Sequence, residues 1–220
     1  MKVFSLITII FFLMLFVTSC KNLKHFQKDK FDDIVKYETY DSGNFVKGVP
    51  DSLLSIFNLV CSKYPELSKT DINLKFKSIK TTMQARPAFN FFRRKYNIYI
   101  NNNPNFEGIK YSTMPLNAKV GLLAHEFSHI IDYESKNNFK IILTGLSYLS
   151  KKSKIDYEKK MDYLTIQKGF GYFLNDWAQF SMYDSGATDK YKEFKKEVYL
   201  EPHEIELIMN HQYSTNIFNK

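Results

Sequence analysis

The chain has 220 residues, of which 16% are aromatic, and carries 31 lysines and arginines against 23 aspartates and glutamates, a net charge of +8. The aromatic residues can build a substantial core, and the low counts of glycine (8) and proline (6) exclude a disordered chain. The only arginines are Arg86, Arg93 and Arg94, so we expect no nucleic-acid partner, and we interpret the lysine-rich surface as a solvated face rather than one that binds an anionic membrane or wall polymer.

The beginning of the chain is typical of an exported protein. Lys2 precedes an apolar run over residues 3–17, which is too short for a comfortable membrane span and has the form of a secretory signal. The run ends in Val17-Thr18-Ser19-Cys20, which resembles the lipobox of bacterial lipoproteins. An ordinary cleaved signal peptide followed by a chance cysteine is the alternative interpretation.

The lipobox resemblance implies a division of the chain into three parts. Residues 1–19 would be a signal peptide that is cleaved before Cys20, and Cys20 would carry the lipid. The polar, lysine-rich residues 20–30 would form a tether, and residues 31–220 would form one domain. The protein would then be an exported lipoprotein, anchored to a membrane of the bacterial cell envelope through its N-terminal lipid.

The first elements of the domain are a helix and a small sheet. Pro50-Asp51 opens a helix that Pro65 ends. Residues 72–77 alternate between apolar and polar side chains, which predicts a half-buried strand, and residues 81–87 follow as an extended or turning segment. Tyr96–Ile100 alternates again and predicts a second strand. This strand is either an edge strand that could pair with a peptide backbone or simply a core strand.

The motif H-E-x-x-H follows at residues 125–129. Residues four apart lie on the same face of a helix, so the imidazoles of His125 and His129 can bind one Zn²⁺, and Glu126 between them can act as a general base on a metal-activated water. Pro115 and Asn117 are suitable residues for the start of this helix. Apolar residues around the motif predict one buried stripe: Val120, Leu123, Ala124, Phe127, Ile130 and Ile131.

Only helices are predicted after the motif. They cover residues 139–149, residues 155–168 with Gly169 as the terminating residue, residues 170–183, and a last helix that opens at Glu201-Pro202. The expected fold is therefore α+β, with a small β-sheet followed by a mainly helical half that carries the H-E-x-x-H helix.

A third metal ligand is sought downstream, because catalytic zinc sites usually have three protein ligands and a water. Residues 158–162 read E-x-x-x-D, and after an H-E-x-x-H helix this resembles the gluzincins, a family of zinc peptidases with a zincin-like fold. The resemblance implies that Glu158 binds zinc and that Asp162 accepts a hydrogen bond from a ligand histidine. Asp132 could instead orient a ligand or serve as one, and Glu158 could be only a solvated charge.

The gluzincin resemblance implies a function for the whole chain. It predicts a membrane-anchored zinc metallopeptidase that acts on a peptide or protein substrate, with Glu126 as general base. The sequence does not choose the donor that would stabilise the oxyanion; His203, His211, Tyr183 and Tyr213 are the candidates. The alternative is a non-catalytic, zinc-containing binding or scaffold lipoprotein of the cell envelope. A purely structural site would need a fourth protein ligand and no base, so the presence of Glu126 favours the enzyme.

Overall fold

The computed structural model describes residues 51–88 and 94–218, and these residues form an α+β fold, as predicted. The predicted signal peptide, the tether and Cys20 lie outside the described residues. A three-stranded sheet comes early in the chain, and everything that follows it is helical or irregular. Within the described residues, no helix combines the length and the apolar character that crossing a membrane requires.

The sheet contains one strand more than the two predicted. Its strands are β1 (Asp71–Lys77), β2 (Met83–Ala88) and β3 (Lys95–Asn101), in the order β1-β3-β2. Strand β3 pairs in parallel with β1 and antiparallel with β2, so it is the central strand. The prediction that Tyr96–Ile100 could be an edge strand is therefore wrong, because both of its backbone edges are already paired. The edge strand β2 tolerates Pro87, which has no N–H to donate.

The described part of the chain contains seven α-helices. Helix α1 precedes β1, and the others follow β3. Their bounds are α1 Asp51–Ser62, α2 Leu116–Glu134, α3 Asn138–Ser147, α4 Lys151–Thr165, α5 Gly171–Gln179, α6 Asp189–Val198 and α7 Pro202–Phe218. A π-helical turn, Ile166–Phe170, separates α4 from α5, and Gly169 within it has φ of 86°, which agrees with its prediction as a helix-terminating glycine.

Helix α2, which carries the H-E-x-x-H motif, is the central element of the fold. It contacts β2, α1, α4 and α5, and it is buried on nearly all sides rather than along the single stripe that its apolar residues predicted. Phe127 packs against Phe57 and Tyr64, each with a ring-centroid distance of 5.4 Å. The backbone of α5 approaches so closely at Gly121 that there is no room for a Cβ atom. The motif is consequently held within closely packed surroundings.

Candidate metal centre

The two histidines of the motif converge on one point. His125 and His129 are one helical turn apart on α2, and their Nε2 atoms are 3.1 Å apart. Both side chains are buried, with residue exposures of 3% and 5%. Helix geometry explains the convergence, since residues four apart project from the same face.

Glu158 completes the group from a different helix. Its Oε2 atom, on α4, lies 3.1 Å from His125 Nε2 and 3.4 Å from His129 Nε2. His125, His129 and Glu158 are all buried, and together they could hold a metal ion. The predicted third ligand thus lies beside the two histidines, although α3 separates α2 from α4 in the chain.

The dimensions of this triangle suit a small tetrahedral cation. Ligand atoms about 2.05 Å from a tetrahedral centre are about 3.3 Å from one another, and the three observed separations are 3.1, 3.1 and 3.4 Å. The atoms are two imidazole nitrogens and one carboxylate oxygen. Each presents a lone pair in the form that binds a metal, so their close approach requires a cation or a proton between them.

Asp162 determines which nitrogen of His125 faces the group. Its Oδ1 atom lies 2.7 Å from Nδ1 of His125, so that Nδ1–H donates to the carboxylate and Nε2 is left as the potential metal ligand. The other oxygen of Asp162, Oδ2, accepts a hydrogen bond of 2.9 Å from the backbone N–H of Leu200. Asp162 therefore contacts one of the two motif histidines, as predicted, and Asp162 is itself held by the segment between α6 and α7.

The electrostatics of the group favour a bound cation. Burial lowers the pKa of His125, but the charge and hydrogen bond of Asp162, followed by those of Glu158, outweigh it and raise this pKa to about 10. Burial raises the pKa of Glu158, yet the charges and hydrogen bonds of the two imidazoles bring it well below its ordinary value. Without a metal, His125 therefore holds an extra proton at neutral pH, which a divalent cation would replace.

Tyr148 holds the second oxygen of Glu158. It is the residue that follows the last turn of α3, and its hydroxyl donates a hydrogen bond of 2.7 Å to Oε1. Oε2 alone then points at the histidines, so the carboxylate can offer one oxygen to a metal. Burial and the nearby charge of Glu158 raise the pKa of Tyr148, which remains a donor at neutral pH.

Glu126 makes a hydrogen bond to the sheet. Its Oε2 atom accepts a hydrogen bond of 2.6 Å from the backbone N–H of Ala85 in β2, and the residue is 5% exposed. Because the backbone N–H of Ala85 donates to α2, it cannot also pair with β3. Ala85 therefore points this N–H from the edge of β2 that is not paired with β3. The motif glutamate is therefore positioned by the edge strand.

Asp132, the rival ligand, has other partners. Its Oδ1 atom accepts a hydrogen bond from Lys160, and its Oδ2 atom accepts hydrogen bonds from Tyr157 and Lys136. The ring of Tyr157 lies 5.5 Å from that of His129. Asp132 and its partners therefore pack beside the histidines, but Asp132 supplies no ligand atom. Glu158, rather than Asp132, lies with the two histidines.

Several contacts of the group could not be found by reasoning from the sequence. Ala85 and Leu200 act through backbone N–H groups, which no side-chain pattern marks. Tyr148 and Tyr199 are ordinary aromatic residues in the sequence, yet the ring of Tyr199 lies 5.6 Å from that of His125. By contrast, Tyr183, one of the four candidate oxyanion donors, is 43% exposed and donates to Glu201.

No protein-family model, curated protein or solved structure gives a significant match to this chain.

Proposed function

We propose that this chain is a zinc-dependent metallopeptidase that hydrolyses peptide bonds in a peptide or protein substrate. The observation that carries the proposal is the buried group of His125, His129 and Glu158, with Glu126 on the same helical turn as the two histidines. We also propose that the protein is exported and held on a membrane of the bacterial cell envelope by a lipid on Cys20.

The donor set supports zinc and a catalytic role. Two imidazoles and one carboxylate suit the tetrahedral preference of zinc, and three protein ligands are typical of sites that keep one position for water or substrate. Asp132 and Asp162 are the nearby acids, and their oxygens are already bound by other partners. Neither is therefore free to act as the fourth protein ligand that a structural zinc site would need.

The chain's own residues supply the proton transfers. A zinc ion in the group would lower the pKa of water and polarise the scissile carbonyl. Glu126, held in place by the N–H of Ala85, would accept the proton of the attacking water at its carboxylate and deliver it to the leaving amine. Asp162 would keep the Nδ1–H tautomer of His125, and Tyr148 would keep Glu158 to one ligating oxygen.

Strand β2 is the element best suited to hold a substrate backbone. It is an edge strand, it contacts α2, and Ala85 within it touches the proposed base. An extended peptide that added to this edge would lie beside Glu126 and would pair mainly with backbone carbonyl groups of β2, because Ala85 donates its N–H to Glu126 and Pro87 has none.

Two substitutions test the activity. The full chain and its variants are assayed for zinc content and for cleavage of a quenched fluorescent peptide library. Glu126→Gln should retain zinc and lose about 10²- to 10⁴-fold in rate, because the amide cannot accept the proton. His129→Ala should lose zinc, whereas the control Lys190→Ala, at an exposed residue on α6, should change neither property. Wild-type hydrolysis by Glu126→Gln would refute the role of the base.

The membrane anchor is tested independently of the activity. Cys20→Ala should release the protein into the soluble fraction or leave the precursor uncleaved, because no thiol remains to accept the lipid. Fractionation and mass spectrometry measure both outcomes. Unchanged mass together with unchanged fractionation would remove the lipid from the proposal.

A further inference from the structure

We propose that helix α3 docks on the surface of an anionic lipid bilayer and places the metal centre beside the membrane. The proposal concerns an outward-facing row of apolar side chains on α3 and just beyond it, here called the α3 stripe. Its members and exposures are Phe139 67%, Ile142 50%, Leu143 47%, Leu146 54% and Leu149 85%.

The α3 stripe lies opposite the face by which α3 packs on the protein. Ile141 and Thr144 are buried, and they lie about 160° around the helix axis from the mean direction of Phe139, Leu143 and Leu146, at 100° per residue. A helix that is apolar on its packed face normally presents polar side chains on the other. Here the outer face is apolar as well, so folding of the described residues does not account for it.

The charged residues of the segment that carries the α3 stripe are all positive. Residues 135–155 contain five lysines and no aspartate or glutamate: Lys136, Lys140, Lys151, Lys152 and Lys154. Lys140 and Lys152 are exposed, while Lys136 and Lys151 are paired with Asp132 and Glu197. Phe and Leu on one face with lysines beside them is the pattern of a helix that lies in the plane of an anionic bilayer surface.

A membrane fits the α3 stripe better than a second copy of the chain does. The five side chains expose on the order of a few hundred Å², less than the roughly 800 Å² per partner that a stable protein interface buries. A symmetric contact between two copies would also bring two sets of lysines together, which repel each other. A bilayer has no such size requirement, and its anionic headgroups would attract the exposed Lys140 and Lys152.

Docking through α3 would place the metal centre close to the membrane surface. Tyr148, at the end of α3, donates its hydrogen bond to Glu158, so the group lies immediately behind the docked helix. This step rests on the proposed peptidase function. The substrates would then be peptide segments at or near the membrane surface.

The docking is tested with tryptophan fluorescence. The only native tryptophan, Trp177, is 4% exposed, so lipid quenchers will report mainly on an introduced tryptophan. Leu146→Trp places the probe on the α3 stripe. Leu116→Trp is the matched control, because Leu116 has a similar exposure of 51% and lies at the opposite end of α2, about 27 Å along the axis from the end that leads to α3.

The full chain of each variant is mixed with vesicles of phosphatidylglycerol and brominated phosphatidylcholine. Leu146→Trp should lose most of its added emission, and Leu116→Trp should keep it. Adding Lys140→Glu and Lys152→Glu to Leu146→Trp should restore the emission, whereas adding Lys190→Glu on α6 should not. Because the readout needs neither metal nor substrate, its failure is distinguishable from failure of the peptidase proposal.

Two results would overturn the docking proposal. The first is equal emission from the Leu146→Trp and Leu116→Trp variants in the presence of vesicles. The second is a blue shift of the Leu146→Trp emission that grows with protein concentration in the absence of vesicles, which would show that a second copy covers the α3 stripe.

Discussion

Substitution of Asp162 by asparagine should weaken zinc binding without removing a ligand. The two carboxylate oxygens of Asp162 accept from two N–H donors, His125 Nδ1–H at 2.7 Å and the Leu200 backbone N–H at 2.9 Å. Asparagine has only one oxygen, so its amide NH₂ must face one of these donors. If the NH₂ faces His125, the imidazole is driven to the tautomer with a proton on Nε2, the atom that would bind the metal.

The two orientations of the amide weaken zinc binding or folding by different amounts. Loss of a hydrogen-bond partner from a ligand histidine commonly weakens metal binding by about 10- to 100-fold, or about 1.4–2.7 kcal/mol. In the other orientation the amide NH₂ of asparagine faces the backbone N–H of Leu200, and this buried N–H loses its acceptor. That loss costs about 1–3 kcal/mol of folding free energy. We therefore expect Asp162→Asn to bind zinc at least tenfold more weakly or to unfold at lower denaturant concentration.

The assay is a competition titration of zinc against a chromophoric chelator, with urea unfolding of the metal-free protein measured in parallel. Asp156→Asn is the matched control, because Asp156 is an exposed aspartate on the same helix, two residues before Glu158. It should bind zinc and unfold as the wild type does. If Asp162→Asn matched this control in both measurements, the tautomer argument would be refuted.

Three further predictions follow from the same contacts. Tyr148→Phe removes the hydroxyl that holds Oε1 of Glu158, so it should weaken zinc binding severalfold in the same titration while leaving α3 folded by circular dichroism; unchanged affinity would contradict it. Zinc binding at pH 7 should release about one proton, because the raised pKa of His125, about 10, keeps it protonated in the metal-free protein, and the apparent affinity should rise with pH up to that value. Calorimetry in two buffers of different ionisation enthalpy measures the proton, and equal heats in both would count against it. Gly121→Ala should destabilise the fold by about 1–3 kcal/mol or more in urea, since its Cβ would overlap the backbone of α5, whereas Gly145→Ala, with open space around it, should be neutral or stabilising.

The local part of the centre could be predicted from the sequence because it depends only on helix geometry. The spacing of His125 and His129 puts both imidazoles on one face in any α-helix, and the spacing of Glu158 and Asp162 does the same on α4. The structure brings His125, His129 and Glu158 to one point, and the order of sheet before helices also follows the hydrophobic periodicity. These features depend on short stretches of sequence, in which neighbouring residues determine the secondary structure.

The tertiary structure alone decided the contacts that join distant segments. Residues 81–87 became the edge strand beside Glu126, and Tyr96–Ile100 became the central strand, because strand order depends on which edges pair over long range. Leu200 donates its backbone N–H to Asp162, and a backbone contact of this kind leaves no pattern of side chains in the sequence. The apolar periodicity of α3 predicted a helix, but only packing determined that Ile141 faces inward and Leu146 faces out, because two apolar faces look alike until one of them is buried.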